Sequence, residues 1–581
     1  MTQRLTDKEN ILITSALPYI NGIKHLGNLI GSMLPADLYA RYMRLKGKNV
    51  LYICATDEHG TPAELAALEQ NKEVAQYCSE MHDLQKILGE GFDLSWDYFG
   101  RSSSEQNREL TQYFHNKLSE NDLIYEQLTR QIYSVDDERF LPDRYVTGTC
   151  PHCGYDRARG DQCENCTRVL DPTELISPRS SISGSKNIEV RSSKHLFLKQ
   201  SDCEGILRDW IEQKKSEGWP LLVSSIAEKW LDEGLLDRCI TRDLKWGIPV
   251  NREGFEDKVF YVWFDAPIAY IAATKEKTDA DNLDDKAWQK WWKTDQGADD
   301  VFYIQFMAKD NVPFHTVSFP VTLFGSNDNW KSADYIKGFN WLTYYGGKFS
   351  TSSKRGVFMN QALEIYPSDY WRWYLLSNAP ESADSAFTWE AFQIAINKDL
   401  ADVLGNFINR VTKFCASKFG DRLPSGGELT DTEHKATKHI QGLIKNYISY
   451  MDNVDIRKAA QELRGIWVAG NEYLQEAAPW TAFKTNPEQA GASIRYAFSL
   501  IALFAELSKP FIPQKAEMMT RIIDVDHQDI WQDQDIDIHR AQADMRFTMP
   551  DILFSKIDDE DIVKLKERFG GEEPKESEEA A

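Results

Sequence analysis

Ser15-Ala16-Leu17-Pro18-Tyr19-Ile20-Asn21-Gly22-Ile23-Lys24-His25-Leu26-Gly27-Asn28 is the stretch from which the rest of the chain can be read. Residues 11–16 ahead of it are apolar and read as a strand, the chain behind it to about Leu45 as a helix, and residues 50–55 as a second strand. That order makes a βαβ unit. Its first turn is where phosphates dock, because helix N-terminal amides are free there and Gly27 admits close approach of a nucleotide. His25 and Asn28 can donate hydrogen bonds to phosphate oxygens as charge develops. Pro35 falls inside the expected helix, where its missing N–H predicts a kink.

Outward from this unit, residues 259–262 and 301–306 read as further strands of one parallel sheet, interrupted by a long insertion. Residues 124–224 hold a cysteine cluster and the loop formers Pro172, Pro178 and Gly184, and so read as an inserted module and not as sheet. After Asp384, Ile396, Leu400, Val403, Leu404, Phe407, Ile408 and Val411 follow helical spacing with Gly420 placed to stop the helix, and similar patterns recur to Phe511. A helical bundle domain is expected there. Residues 570–581 are rich in Glu and are expected to be a solvated, disordered tail.

Length and charge narrow the function classes. With 581 residues the chain exceeds one hydrophobic core, so several domains are expected. A net charge of −23 excludes nucleic-acid binding by bulk electrostatics and leaves only local, patchy RNA contact. The longest apolar run, residues 496–505 between Arg495 and Glu506, is far shorter than the roughly 20 residues of a spanning helix, so no membrane partner and a cytoplasmic address are expected. Nine cysteines include Cys150-Pro151-His152-Cys153 and Cys163-Glu164-Asn165-Cys166, two tight turns offering four thiolates to a closed tetrahedral zinc site. The other five are expected to be core thiols.

The opening stretch resembles the HIGH signature of class I aminoacyl-tRNA synthetases, with Asn28 in place of the final His. Residues 348–356, Lys348-Phe349-Ser350-Thr351-Ser352-Ser353-Lys354-Arg355-Gly356, resemble the KMSKS loop of the same class, with Thr351 where the second Lys would stand; Lys354 or Arg355 would then supply the charge. Residues 261–270 and 309–315 are similar to the substrate-pocket text of the methionyl-tRNA synthetase family. The resemblance spans about residues 10–556, with the motifs in the family's order. The insertion, about a hundred residues, is too short for both a zinc knuckle and a large editing domain, which also favours the methionine family.

This resemblance implies a Rossmann-type parallel-sheet α/β catalytic domain with an inserted zinc-knuckle module, followed by an α-helical bundle anticodon-binding domain. The expected boundaries are 1–123 and 225–345 for the two catalytic halves, 124–224 for the insertion, 346–384 for the KMSKS-loop region, 385–548 for the helical domain and 549–581 for a C-terminal extension. It further implies activation of L-methionine with ATP and magnesium to the adenylate, then transfer to initiator and elongator tRNA(Met). His25, Gly27, Asn28, Asp310, Lys348 and Thr351 would bind ATP, with His25, Asn28, Lys348, Thr351, Lys354 and Arg355 catalytic. Methionine would meet Leu17, Tyr19, Asp57, Arg242, Trp263, Ala266, Pro267, Tyr270 and His315, an aromatic slot with a few polar groups for the thioether and Asp57 for the ammonium. Cys150, Cys153, Cys163 and Cys166 would hold one structural zinc. Asn406, Arg410 and Trp480 would read the anticodon by stacking and base-edge hydrogen bonds. A monomer is expected. Two other readings remain open: a different class I synthetase or HxGH nucleotidyltransferase sharing the phosphate machinery, and a catalytically silent tRNA-binding protein.

Overall fold

The computed structural model describes residues 8–160, 163, 165, 166, 168, 170–349, 355–532 and 537–570. Strands β1 (Asn10–Ser15), β2 (Asn49–Thr56), β3 (Tyr98–Arg101), β4 (Val301–Ala308) and β5 (Tyr335–Phe339) form one parallel sheet in the order β5–β4–β1–β2–β3. Asn10 of β1 stands opposite both Asn49 and Val301. Residues 11–15 are buried, as a central parallel strand covered on both faces must be. The chain walks from β1 through β2 to β3 and returns on the other side as β4. The switch point between β1 and β4 therefore opens a crevice at their carboxyl ends.

The helix after β1 runs through Leu26–Asn28, a wide π turn Leu29–Met33, and Leu34–Leu45. Leu34 donates its N–H to Leu29, five residues back, just ahead of Pro35, so the expected disturbance is absorbed as a widened turn.

Two expectations are corrected. Residues 259–262 do not continue the parallel sheet: only Val259–Phe260 is strand, paired antiparallel with Thr241–Arg242, and Val262 already opens the short helix Val262–Asp265. Four apolar residues cannot distinguish a sheet strand from a buried turn of helix. The insertion is itself built from sheet. Ile124–Ser134 and Ile188–Leu198 pair antiparallel along their lengths, with Arg238–Cys239 on one edge, while Val146–Thr149, Ala158–Arg159 and Ile176–Ser180 form a second small sheet. The insertion docks on the catalytic sheet through Glu64, which accepts from Arg139, from the Tyr145 hydroxyl and from the backbone N–H of Trp246.

In the C-terminal half, Trp389 to Phe419 is one continuous helix ended at Gly420, whose φ of 86° lies in the left-handed region. Ile396, Leu400, Leu404, Phe407, Ile408 and Val411 are all buried, as their spacing requires, and Val403 is partly so. Asp431–Asp452, Ile456–Ala477 and Pro487–Ser508 complete the bundle. The last is long and apolar enough to cross a membrane by composition, yet 94% of its apolar window is buried in the bundle core. Within the extension, Asp559–Phe569 forms a helix whose Phe569 ring lies 5.6 Å from that of Trp389. Residues 571–581 of the expected tail lie outside the described residues.

Arg372 joins the halves. Its guanidinium lies 2.7 Å from the Asp37 carboxylate, both side chains fully buried, and donates to the carbonyls of Phe92, Pro510 and Phe511. Burial pushes the Asp37 carboxyl up, but Arg372, Arg41 and Ser95 more than offset this and hold it below its usual value. A depressed carboxyl stabilises the fold above its unfolded-state pKa, and that contribution is lost as pH falls through the folded-state value. Arg372→Ala is expected to destabilise the fold by about 3–5 kcal/mol, because it strands a buried carboxylate. Thermal unfolding of the full chain checks this; an unchanged melting temperature would contradict it.

Candidate functional site

The crevice at the β1/β4 switch point is a cavity of about 720 Å³. It is lined by Leu17, Tyr19, Asp57, Trp263, Ala266, Pro267, Tyr270 and His315, and by His25, Gly27, Asn28, Asp310 and Lys348. The aromatic and phosphate-facing sets thus share one space, as the sequence reading required.

The turn after β1 is held by a reciprocal cap. The Asn28 backbone N–H donates to His25 Nδ1 at 3.2 Å, and the His25 backbone N–H donates to Asn28 Oδ1 at 3.2 Å. Because Nδ1 accepts, the ring proton sits on Nε2. Burial and the neighbouring Lys24 push His25 down to about 3, so the imidazole is neutral and offers one donor. Asn28 uses only its oxygen in the cap, and its amide N–H groups have no hydrogen-bond partner among the described residues. A Cβ on Gly27 would stand 3.0 Å from His25 Nδ1, tighter than an ordinary contact, so any larger residue would press on the capping ring. Phe349 stacks on His25 with ring centroids 4.8 Å apart, bringing the Lys348 segment over the turn.

Asp57 ends β2 and is 5% exposed, with Oδ1 lacking any hydrogen-bond partner among the described residues. Burial, then Asp265 and Glu58, push its carboxyl well above the usual range against the pull of Lys24. Lys24 is itself buried, donates to Asn21 Oδ1 at 3.0 Å and is pushed down to about 7 by burial, with Asp57 opposing. A buried acceptor without a donor beside a half-neutral amine is a site that a cationic ligand group completes.

His315 Nδ1 lies 2.9 Å from the Asn311 carbonyl and must carry the proton there, so Nε2 accepts from the Tyr270 hydroxyl at 2.9 Å. Burial lowers His315 to about 4 and keeps it neutral. The Trp263 ring packs 4.7 Å from Phe314 and 5.1 Å from Tyr261.

Two expected residues stand apart from the cavity. Arg242 lies behind its wall, its guanidinium 3.6 Å from the Tyr261 ring centroid. Arg355 is buried and donates to the Tyr344 carbonyl at 3.0 Å. Thr351 and Lys354 lie outside the described residues. Conversely, the cavity walls include Lys24, Arg144 and Trp341, to which the sequence reading gave no role. Lys24 adjoins His25 and was within reach of sequence reasoning. Arg144 arrives from the insertion and carries no local signal. Trp341 donates to Asp310 Oδ1 at 3.2 Å, with Lys348 Nζ 5.1 Å from its ring.

Elsewhere, the Sγ atoms of Cys150, Cys153, Cys163 and Cys166 all lie within 4.8 Å of one another, with Cys150–Cys166 at 3.8 Å and Cys153–Cys163 at 3.6 Å. Sulfurs about 2.3 Å from a shared tetrahedral centre would be roughly 3.8 Å apart, so the cluster is compatible with a zinc site. In the helical half, Arg410 lies 4.5 Å from the ring of half-buried Trp480, and exposed Asn406 sits one turn earlier on the Arg410 helix.

Comparison with known proteins gives the same direction. The family described as "tRNA synthetases class I (M)" matches residues 11–412, and "Anticodon binding domain of methionyl tRNA ligase" matches residues 423–574. The chain is 59% identical over 568 residues to the methionine–tRNA ligase of Dinoroseobacter shibae, covering 97% of this chain and 99% of that one. It is 58% identical to that of Streptomyces avermitilis, covering 96% and 99%. Among solved structures, Mycobacterium tuberculosis methionyl-tRNA synthetase in complex with methionyl-adenylate shares the fold with a TM-score of 0.75 at 21% identity, covering 94% of this chain and 99% of that one.

The Lys24 amine is expected to half-titrate near pH 7, more than three units below an ordinary lysine at 10.5. Competitive acetylation across pH, mapped by mass spectrometry, checks this. Labelling that begins only above pH 9 would contradict it.

Proposed function

The chain belongs to the methionyl family of class I tRNA synthetases, and from that premise we propose how its own residues divide the work of joining methionine to tRNA. The observation that carries the reading is the buried Asp57 carboxyl, whose Oδ1 has no hydrogen-bond partner among the described residues, facing an aromatic-walled cavity that also holds the capped His25–Asn28 turn. Asp57 accepts the substrate ammonium, which restores the charge its burial disfavours. Trp263, Tyr270, Leu17, Tyr19, Ala266 and Pro267 enclose the thioether side chain, with His315 orienting the Tyr270 hydroxyl. Arg242 supports the wall by stacking on Tyr261.

ATP enters as its magnesium complex against the turn after β1, with Gly27 admitting the phosphates and Asp310 at the neighbouring end of β4. The methionine carboxylate oxygen attacks the α-phosphorus, the bond to the bridging oxygen breaks, and pyrophosphate leaves. His25 Nε2–H and the Asn28 amide donate to phosphate oxygens on which charge develops, and Lys348 neutralises the leaving group. Thr351, Lys354 and Arg355 belong to the same segment; Arg355 is buried against the Tyr344 carbonyl, so Lys354 is the residue that would make good the absent second Lys. The terminal ribose hydroxyl of the tRNA then attacks the adenylate carbonyl carbon and AMP leaves. Positioning carries most of this rate, and the neutral imidazole donates without having to lose a proton.

The four cysteines would hold one zinc ion, which would brace the insertion and take no part in the reaction. Trp480 stacks on an anticodon base, with Arg410 and Asn406 reading base edges. Because this surface addresses the anticodon alone, initiator and elongator tRNA are both substrates. One chain carries every group used, so a monomer suffices.

Methionine alone among the twenty amino acids is expected to support ATP–pyrophosphate exchange; exchange with another amino acid, or none, would overturn the reading. Asp57→Asn is expected to raise KM for methionine by about a hundredfold, since a charge-assisted contact to the substrate ammonium is lost in a buried site. As pH falls, protonation of Asp57 is expected to raise KM in the same direction. Trp480→Ala is expected to impair tRNA charging while leaving exchange nearly intact, and equal loss in both assays would refute the anticodon role.

A further inference from the structure

Lys24 stands on the wall of the larger cavity, and the reaction outlined above gives it no role. Backbone contacts on both sides set its place. The Lys24 carbonyl accepts from the Met359 N–H at 2.9 Å, and the Leu26 N–H donates to the Val357 carbonyl at 3.1 Å. Ahead of it, the Asp57 N–H donates to the Pro18 carbonyl at 3.0 Å and the Ile20 N–H to the Asp57 carbonyl at 2.9 Å, so the chain leading into Lys24 runs along the end of β2. Gln85 closes this loop by donating to the carbonyls of Tyr19 and Gly22, each at 3.0 Å. Lys24 and Asp57 are thereby fixed on one edge of the cavity.

The Lys24 side chain is buried, and among the described residues its ammonium has one hydrogen-bond partner, Asn21 Oδ1 at 3.0 Å. An ammonium has three N–H donors, so a single neutral amide oxygen leaves two of them, and the charge itself, without a counterpart. Asp57 acts on Lys24 only through space: the two make no ion pair, yet each shifts the other toward its charged form. A lysine kept for packing alone would be better replaced by an apolar side chain, since an unpaired charge is costly to bury. Asp57 Oδ1 is likewise without a donor. An acceptor and a donor of opposite charge, both buried, both incomplete and not in contact with each other, match the two ends of a zwitterion.

We propose that Lys24 is a further catalytic residue, which holds the carboxylate of the bound amino acid while Asp57 holds its ammonium, and so aims the second carboxylate oxygen at the α-phosphorus. This rests on the pocket assignment made above. One carboxylate oxygen accepts from the Lys24 ammonium; the other forms the bond to phosphorus as the bond to the bridging oxygen breaks and pyrophosphate leaves. Lys24 gives up no proton. Its charge faces the carboxylate first and then the α-phosphate oxygens on which negative charge accumulates. Lys24 immediately precedes His25, so a carboxylate held there stands beside the turn against which the phosphates dock. Burial lowers the amine to about 7, and a carboxylate in contact favours its charged form.

Methioninol separates this role from a structural one, because it keeps the thioether and the ammonium and carries a hydroxymethyl group in place of the carboxylate. Its dissociation constant and that of methionine are measured by calorimetry on the full-length zinc-loaded enzyme. Lys24→Met is expected to weaken methionine roughly ten- to hundredfold, the loss of one charge-assisted hydrogen bond in a buried site, and to leave methioninol bound at least as tightly, since a like charge is removed. Asp57→Asn is expected to weaken both ligands. Lys24→Arg, which keeps the charge, is expected to recover part of the methionine binding, and the KM for ATP in exchange is expected to be unchanged in Lys24→Met. Equal weakening of methionine and methioninol by Lys24→Met would overturn the proposal, because a disturbed pocket serves both ligands alike. Unchanged methionine binding would overturn it too, as would a loss confined to the KM for ATP, which would give Lys24 to the phosphates instead. Should the unsubstituted enzyme bind neither methionine nor methioninol, the pocket assignment itself falls and takes this proposal with it.

Discussion

Two charges that never meet water, Asp37 and Arg372, hold the halves of this protein in one frame. An isolated buried ion costs several kcal/mol even after relaxation, so the pair persists only because other groups satisfy it. Arg372 is supplied with three backbone carbonyls from two distant segments, and Asp37 with Arg41 and Ser95 as well. Asp37 lies on the helix that begins at the His25–Asn28 cap, while Pro510 and Phe511 end the long buried helix of the bundle. The phosphate-facing turn and the bundle carrying Trp480 are therefore referenced to the same guanidinium. Further contacts run alongside: the Tyr42 hydroxyl and Lys46 both reach Asp452, and Glu381 joins Lys337 to the first amides of the helix starting at Ile456.

Within the cavity the design runs the opposite way. Charges are left incomplete: Asp57 has an acceptor with no donor, Lys24 is pushed to about 7, and His25 is neutral. Each of these states is set by burial first, so each is relieved by a ligand that brings charge into the same low-dielectric space. In the reaction proposed above, an ammonium would complete Asp57, and phosphate oxygens would meet donors already oriented by the cap. The enzyme thus spends little reorganisation on binding, because the groups that would move are fixed by backbone contacts.

Much of this was legible because it is local. The strand–turn–helix, the cysteine spacing and the one-turn offset of Asn406 and Arg410 are encoded in contiguous residues, and each sits where its spacing requires. The misreadings share one cause, that the deciding contact lies far along the chain. Residues 259–262 are apolar enough for the central sheet, but Tyr261 hydrogen-bonds Ile240 and the chain turns into helix. Arg242 ends the short strand Thr241–Arg242, and only the fold shows that Tyr261 stands between it and the cavity. Cys239 reads as a core thiol, yet it is partly exposed, because Arg238–Cys239 is an edge strand of the insertion's sheet.

The docking of the insertion accounts for the length of the crossover from β3 to β4. A minimal crossover would return the chain to β4 with one helix, leaving the crevice open on the side away from the His25 turn. Here the insertion bends back, docks on Glu64 and delivers Arg144, and the strand pair that follows it brings Arg242, and Tyr261 just beyond, to the open side. The wall that would distinguish one amino acid from another is therefore made of residues outside the parallel sheet, free to differ while the phosphate machinery on β1 stays as it is.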